Sequence, residues 1–91
     1  MEQKYTEATI SYEAGIHARP ASQIAEIAKK ADSAIYIQKD NIIADASSVT
    51  DILMLFCPQG SKIKVFADNP ADKIIVDEII KLIKSDFSEK I

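Results

Sequence analysis

One change of hydrophobic period limits the folds open to this chain, and it falls across Gly15-Ile16-His17-Ala18-Arg19-Pro20-Ala21. Before it, Ala8, Ile10 and Tyr12 alternate with Glu7, Thr9 and Ser11, the period of two of a half-buried strand. After it, Ile24, Ile27, Ala28 and Ala31 recur at helical spacing, which leaves Glu26, Lys29 and Lys30 to water. The chain therefore passes from a strand over Tyr5 to Tyr12 into a helix over Ala21 to Lys30. Gly15 permits backbone angles that a side chain would penalise. Pro20 suits a first helical turn, where its missing N–H costs nothing. It also disfavours the α region for Arg19, so helical geometry is expected to settle only near this point.

The rest of the chain repeats such changes of period. Ala34 to Lys39 reads as a second strand with Ile35 and Ile37 on one side. Asp40-Asn41 tolerates left-handed backbone and predicts a tight turn into a short third strand, Ile42 to Ala44. Ser47-Ser48 opens a second helix, with Ser48 and Asp51 spaced as in a capping box. Val49, Ile52, Leu53 and Phe56 follow at helical spacing. Met54 and Leu55 widen the apolar arc so far that part of it is expected to form an exposed docking patch. Pro58 is expected to end this helix, and Gln59-Gly60 to turn. Lys62 to Ala67 predicts a fourth strand with Ile63, Val65 and Ala67 inward. Asp68 or Asn69 can cap a last helix, with Pro70 in its first turn. Its buried stripe is predicted as Ala71, Ile74, Ile75, Ile79, Leu82 and Ile83, with Asp72, Asp77, Lys81 and Lys84 toward water. The order βαββαβα predicts an α+β fold, an open-faced two-layer sandwich. Its four-stranded, mostly antiparallel sheet is covered on one face by three helices.

Ninety-one residues suit one small domain. A net charge of −3 disfavours a nucleic-acid partner. The lone Cys57 cannot form an internal disulfide, which suits a reducing, cytoplasmic setting. Met1 to Glu7 lacks the apolar run of a signal peptide, and no stretch approaches the roughly 18 apolar residues of a membrane span.

The chemistry concentrates in the first change of period. His17, the sole histidine, and Arg19 fall at or just before a helix N-terminus. Unpaired N–H groups and the positive end of the helix dipole make that place an anion site. Arg19 adds a guanidinium that can fork onto phosphate oxygens. An imidazole is a nucleophile that is largely unprotonated near neutral pH. The residues alone suggest a phosphorylated histidine or a bound phosphate, and spacing alone leaves open an ordinary polar cap. No second carboxylate or histidine adjoins the motif, so an independent hydrolase is disfavoured and neither cofactor nor metal is called for.

The order Gly-Ile-His-Ala-Arg-Pro-Ala resembles the active-site signature of HPr, the phosphocarrier family of the phosphoenolpyruvate-dependent sugar phosphotransferase system. The resemblance runs over nearly the whole chain and implies the same open sandwich. It implies that His17 accepts a phosphoryl group on Nδ1 from enzyme I and passes it to enzyme IIA proteins. Arg19 and the N–H groups of Ala18 and Arg19 would bind the phosphate. A monomer is the family default. Ser48 stands thirty-one residues after His17. That spacing matches the serine that an HPr kinase phosphorylates in low-GC Gram-positive bacteria. The residues alone explain Ser48 as an N-cap worth about 1 kcal/mol, and Ser47 lies adjacent. Val49, Thr50 and Leu53 would form the partner-docking face. Thr50 and Asp51 depart from the family, which often has an apolar residue followed by glycine or a basic residue. Glu26 stands where some relatives present lysine. Two alternatives share the motif. One is a regulatory module acting through phospho-Ser48 on a transcriptional regulator, and the other is a passive phosphate-binding domain.

Overall fold

A computed structural model describes residues 4–88. In chain order it contains β1 (Thr6–Thr9), α1 (Ala18–Ala28), β2 (Ile35–Lys39), β3 (Ile42–Asp45), α2 (Val49–Met54), β4 (Lys62–Ala67), a 3-10 turn (Pro70–Asp72) and α3 (Lys73–Lys84). The strands form one sheet in the order β1-β4-β2-β3, and every neighbouring pair is antiparallel. Ala8 lies opposite Ile63, and Ile37 lies opposite both Val65 and Ala44. These residues are buried, so one sheet face is the core face. The helices lie on that face. α3 crosses β1 and β4 beside α1, and α2 packs between α1 and β3. This is the α+β open sandwich expected from the changes of period. No helix among the described residues is long and apolar enough to cross a membrane.

The core is aliphatic apart from Phe87. Ile10, Ile24, Ile35, Ile37, Ile52, Ile63, Val65, Ile79, Leu82, Ile83 and Phe87 are almost wholly buried. Each contributes about 1.5–3 kcal/mol relative to an exposed side chain. The Lys30–Glu78 and Lys73–Asp77 ion pairs are exposed and contribute at most about 1 kcal/mol each. Packing therefore decides the fold, and surface charge does not.

Four local expectations are corrected. β1 is shorter than Tyr5 to Tyr12. Beyond Thr9 the pairing goes to the Gly60-Ser61 turn, through Ile10 N–H to Ser61 O (2.8 Å) and Gly60 N–H to Ile10 O (2.7 Å). α1 starts at Ala18, so Pro20 is its third residue, still within the turn where no N–H is needed. α2 stops at Met54, well before Pro58, because Phe56 adopts left-handed backbone (φ 52°). In α3 the buried stripe is rotated: Val76 and Ile80 are inside, whereas Ile74 is 69 % exposed and Ala71 is exposed too. The 3-10 turn has about three residues per turn, so it shifts the phase of the helix that follows.

Asp72 is the largest departure, since it is only 5 % exposed. Its carboxylate accepts from the N–H of Asp32 (3.1 Å), the N–H of Ser33 (2.8 Å) and the hydroxyl of Ser33 (2.5 Å). Ser33 Oγ in turn accepts from Asn69 N–H (3.0 Å). This clasp ties the loop after α1 to the start of α3. The Ser33 hydroxyl, then the Asp32 N–H, hold the Asp72 carboxyl below its ordinary value against the opposing effect of burial.

Candidate functional site

Gly15 makes the turn before α1 geometrically possible. Its φ is +71°, and its N–H donates to Tyr12 O (2.9 Å). A Cβ here would lie 2.7 Å from Cys57 O and 2.9 Å from Pro58 Cα. The next N–H, of Ile16, donates to the same Cys57 carbonyl (2.9 Å). The loop after α2 is thus the wall on which this turn rests. Ile16 and Cys57 are buried, and burial pushes the Cys57 thiol up while Lys39 opposes the rise.

His17 follows as the N-cap of α1, in extended backbone, and its side chain is exposed. Its carbonyl accepts from Ala21 N–H (3.0 Å), which starts the helical ladder, while the imidazole makes no capping bond. Among the described residues, no acceptor meets the N–H groups of Ala18 or Arg19. The first turn carries no acidic residue. An exposed nucleophile therefore stands beside two free donors at the positive end of an eleven-residue helix.

Arg19 does not bond to His17. Its Nη2 donates to Tyr12 Oη (3.0 Å), and its Nη1 donates to Gln23 Oε1 (3.1 Å) and Phe87 O (3.4 Å). The Tyr12 ring stacks at a tilt on the His17 ring, with centroids 6.0 Å apart and planes at 30°. It also makes an edge-type contact with the Phe87 ring, with centroids 5.5 Å apart and planes at 63°. Phe87 reaches this place because Asp86 and Phe87 both take left-handed backbone (φ 55° and 62°), turning the chain back after α3. Sequence reasoning missed Tyr12, Gln23 and Phe87 as parts of the site. Gln23, four residues after Arg19 on a helix, was the available signal.

Ser48 lies elsewhere, as the N-cap of α2, where its Oγ accepts from Asp51 N–H (3.2 Å). Ser47 Oγ instead donates to Asp45 (2.7 Å). Val49 is half-buried, whereas Thr50 and Leu53 are exposed on the same short helix. Met54 and Phe56 extend that surface, at 75 % and 74 % exposure. His17 and Ser48 thus mark two separate helix starts. The two helices that they open pack against each other.

Comparison with known proteins agrees with this arrangement. The family model described as the PTS HPr component phosphorylation site matches residues 4–85. Phosphocarrier protein HPr of Treponema pallidum is 30% identical over 77 residues, covering 85% of this chain and 88% of its own length. Phosphocarrier protein NPr of Proteus mirabilis is 33% identical over 87 residues, covering 94% and 97%. The crystal structure of HPr-C-His from Thermoanaerobacter tengcongensis matches with a TM-score of 0.87 and 32% identity, covering 97% of this chain and 99% of that one. With its motif, its fold and its relatives in agreement over nearly its full length, the chain belongs to the HPr family of phosphotransferase-system phosphocarriers.

Proposed function

We propose that His17 is the residue that carries the phosphoryl group, taking it from enzyme I and giving it to enzyme IIA proteins of sugar uptake. The observation behind this reading is the exposed imidazole at a helix start whose first two N–H groups meet no acceptor among the described residues. In the transfer, the lone pair of His17 Nδ1 forms a P–N bond as the P–N bond of the donor phosphohistidine breaks. The electrons of the broken bond return to the donor ring. The group in flight is loose and metaphosphate-like, so positioning and charge stabilisation suffice. The N–H groups of Ala18 and Arg19 and the Arg19 guanidinium are the partners of its oxygens. A helix end contributes on the order of 1–2 kcal/mol, modest enough for the group to leave again. Incubation with enzyme I and phosphoenolpyruvate should add an acid-labile phosphate that His17→Ala abolishes. Full labelling of that variant would remove the assignment. A panel of purified enzyme IIA proteins identifies the recipients by which of them discharge the label.

A second reading adds regulation at Ser48 by an HPr kinase/phosphorylase. In its support, Ser48 Oγ caps α2 beside Val49, Thr50 and Leu53. A phosphate there would be favoured by the helix end and would place charge next to the exposed apolar surface of Leu53, Met54 and Phe56. Asp51 in the same turn opposes it by like charge. The phosphorylated form would then act on a transcriptional regulator. ATP and an HPr kinase should give an acid-stable phosphate that Ser48→Ala removes. Label kept by that variant would transfer the site to Ser47.

A further inference from the structure

We propose that Tyr12 is a positioning residue for phosphoryl transfer, holding Arg19 in a rest position from which the guanidinium must be released to reach the phosphoryl group. The proposal rests on the reading of His17 as the phosphoryl carrier.

Tyr12 is fixed from several sides. Its carbonyl accepts the Gly15 N–H that closes the turn into α1 (2.9 Å). Its ring sits between those of His17 and buried Phe87, with centroids 6.0 Å and 5.5 Å away. A ring so placed offers its hydroxyl at one location, and Arg19 Nη2 donates to it there at 3.0 Å. Nη1 is engaged on Gln23 Oε1 and Phe87 O. Both terminal nitrogens of the guanidinium, the pair that forks onto phosphate oxygens, therefore already donate within the protein while His17 is unmodified. The Tyr12 hydroxyl is the most direct competitor, because it sits on the ring that neighbours the imidazole. A phosphoryl group on His17 draws the cation away from a neutral acceptor. When the phosphoryl group leaves, the same hydroxyl takes the cation back. Tyr12 thereby lowers the affinity of the site for its cargo, which a carrier that must discharge requires.

Replacing the hydroxyl alone separates this role from packing. Tyr12→Phe keeps the ring between His17 and Phe87 and removes only the acceptor. The carrier is equilibrated with enzyme I at a fixed phosphoenolpyruvate-to-pyruvate ratio, and the phosphorylated fraction is read from phosphorus NMR. Tyr12→Phe is expected to raise the ratio of phosphorylated to free carrier by about two- to tenfold, the scale of one exposed charge-assisted hydrogen bond. In an Arg19→Ala background the same substitution should change nothing, since the two act as one unit. Nitrogen-15 spectra of the unphosphorylated protein should show a restrained Arg19 Nη2 group that becomes freely rotating in Tyr12→Phe. An unmoved ratio with labelled wild type, or an equal shift in both backgrounds, overturns the role of Tyr12 alone. A wild-type protein that takes no label overturns the carrier reading, and this proposal with it.

Discussion

Replacing Gly15 by alanine tests whether the turn before His17 is held by backbone geometry. Two costs apply. The residue sits at φ +71°, where a side chain costs about 1–2 kcal/mol. The new Cβ would also fall 2.7 Å from Cys57 O and 2.9 Å from Pro58 Cα, both backbone atoms that cannot swing aside. Relieving that overlap means stretching or breaking the bond from Ile16 N–H to Cys57 O, worth about 1 kcal/mol or somewhat more. The expected loss is about 2–4 kcal/mol, which lowers Tm by roughly 10–30 °C in a domain of this size. Gly60 supplies an internal control. Its φ is +94°, yet nothing lies within 4 Å of the Cβ it would gain. Gly60→Ala should therefore show the conformational cost alone, about 1–2 kcal/mol. Urea and thermal unfolding of both variants measure the difference. A Gly60→Ala protein as destabilised as Gly15→Ala would refute the idea that the Cys57-Pro58 wall sets this turn.

Arg19→Ala should slow phosphorylation of His17 severalfold while leaving Tm nearly unchanged, because the guanidinium bonds are exposed; stopped-flow transfer from enzyme I checks it. Ser48→Ala should cost about 0.5–1 kcal/mol through the lost cap on Asp51 N–H, read as a Tm lowered by a few degrees. Asp72 makes stability depend on acid. Its folded carboxyl is held below the ordinary 3.8, so its contribution is fully present above that value and is lost as pH falls through the lower folded value. Asp72→Asn should accordingly be less stable than wild type at pH 7, and the gap should shrink below about pH 4 in unfolding measured across pH.

Much of this fold could be read from local pattern. The bounds of β4, Lys62–Ala67, follow from the alternation of Lys62, Ile63, Lys64 and Val65 between a glycine turn and an Asp-Asn-Pro run. The cap at Ser48 and the left-handed turn at Asp40 (φ 55°) follow from short-range chemistry. His17 and Arg19 could be placed on one turn because Gly15 and Pro20 bracket it. What escaped depends on residues distant in sequence. Asp72 is buried because loop N–H groups about forty positions earlier need an acceptor, and periodicity carries no trace of that. The rotation of α3 depends on a three-residue 3-10 turn, and a small phase error moves Ile74 from core to solvent. Tyr12 reads as an ordinary strand residue until α3 and Phe87 are docked beside it.

The sheet order has a consequence for how the protein is made. Among the described residues β1 finds its only strand partner in β4, about sixty residues later, and Tyr12 leans on Phe87, later still. On the ribosome, at about 5–20 residues per second, β1 must wait roughly 3–12 s before that partner has been synthesised. A nascent chain halted after β3 would display the whole His17 motif with neither the strand that anchors its approach nor the aromatic prop behind it. Competence to carry a phosphoryl group should therefore arrive late and all at once during synthesis, although its signature is translated early.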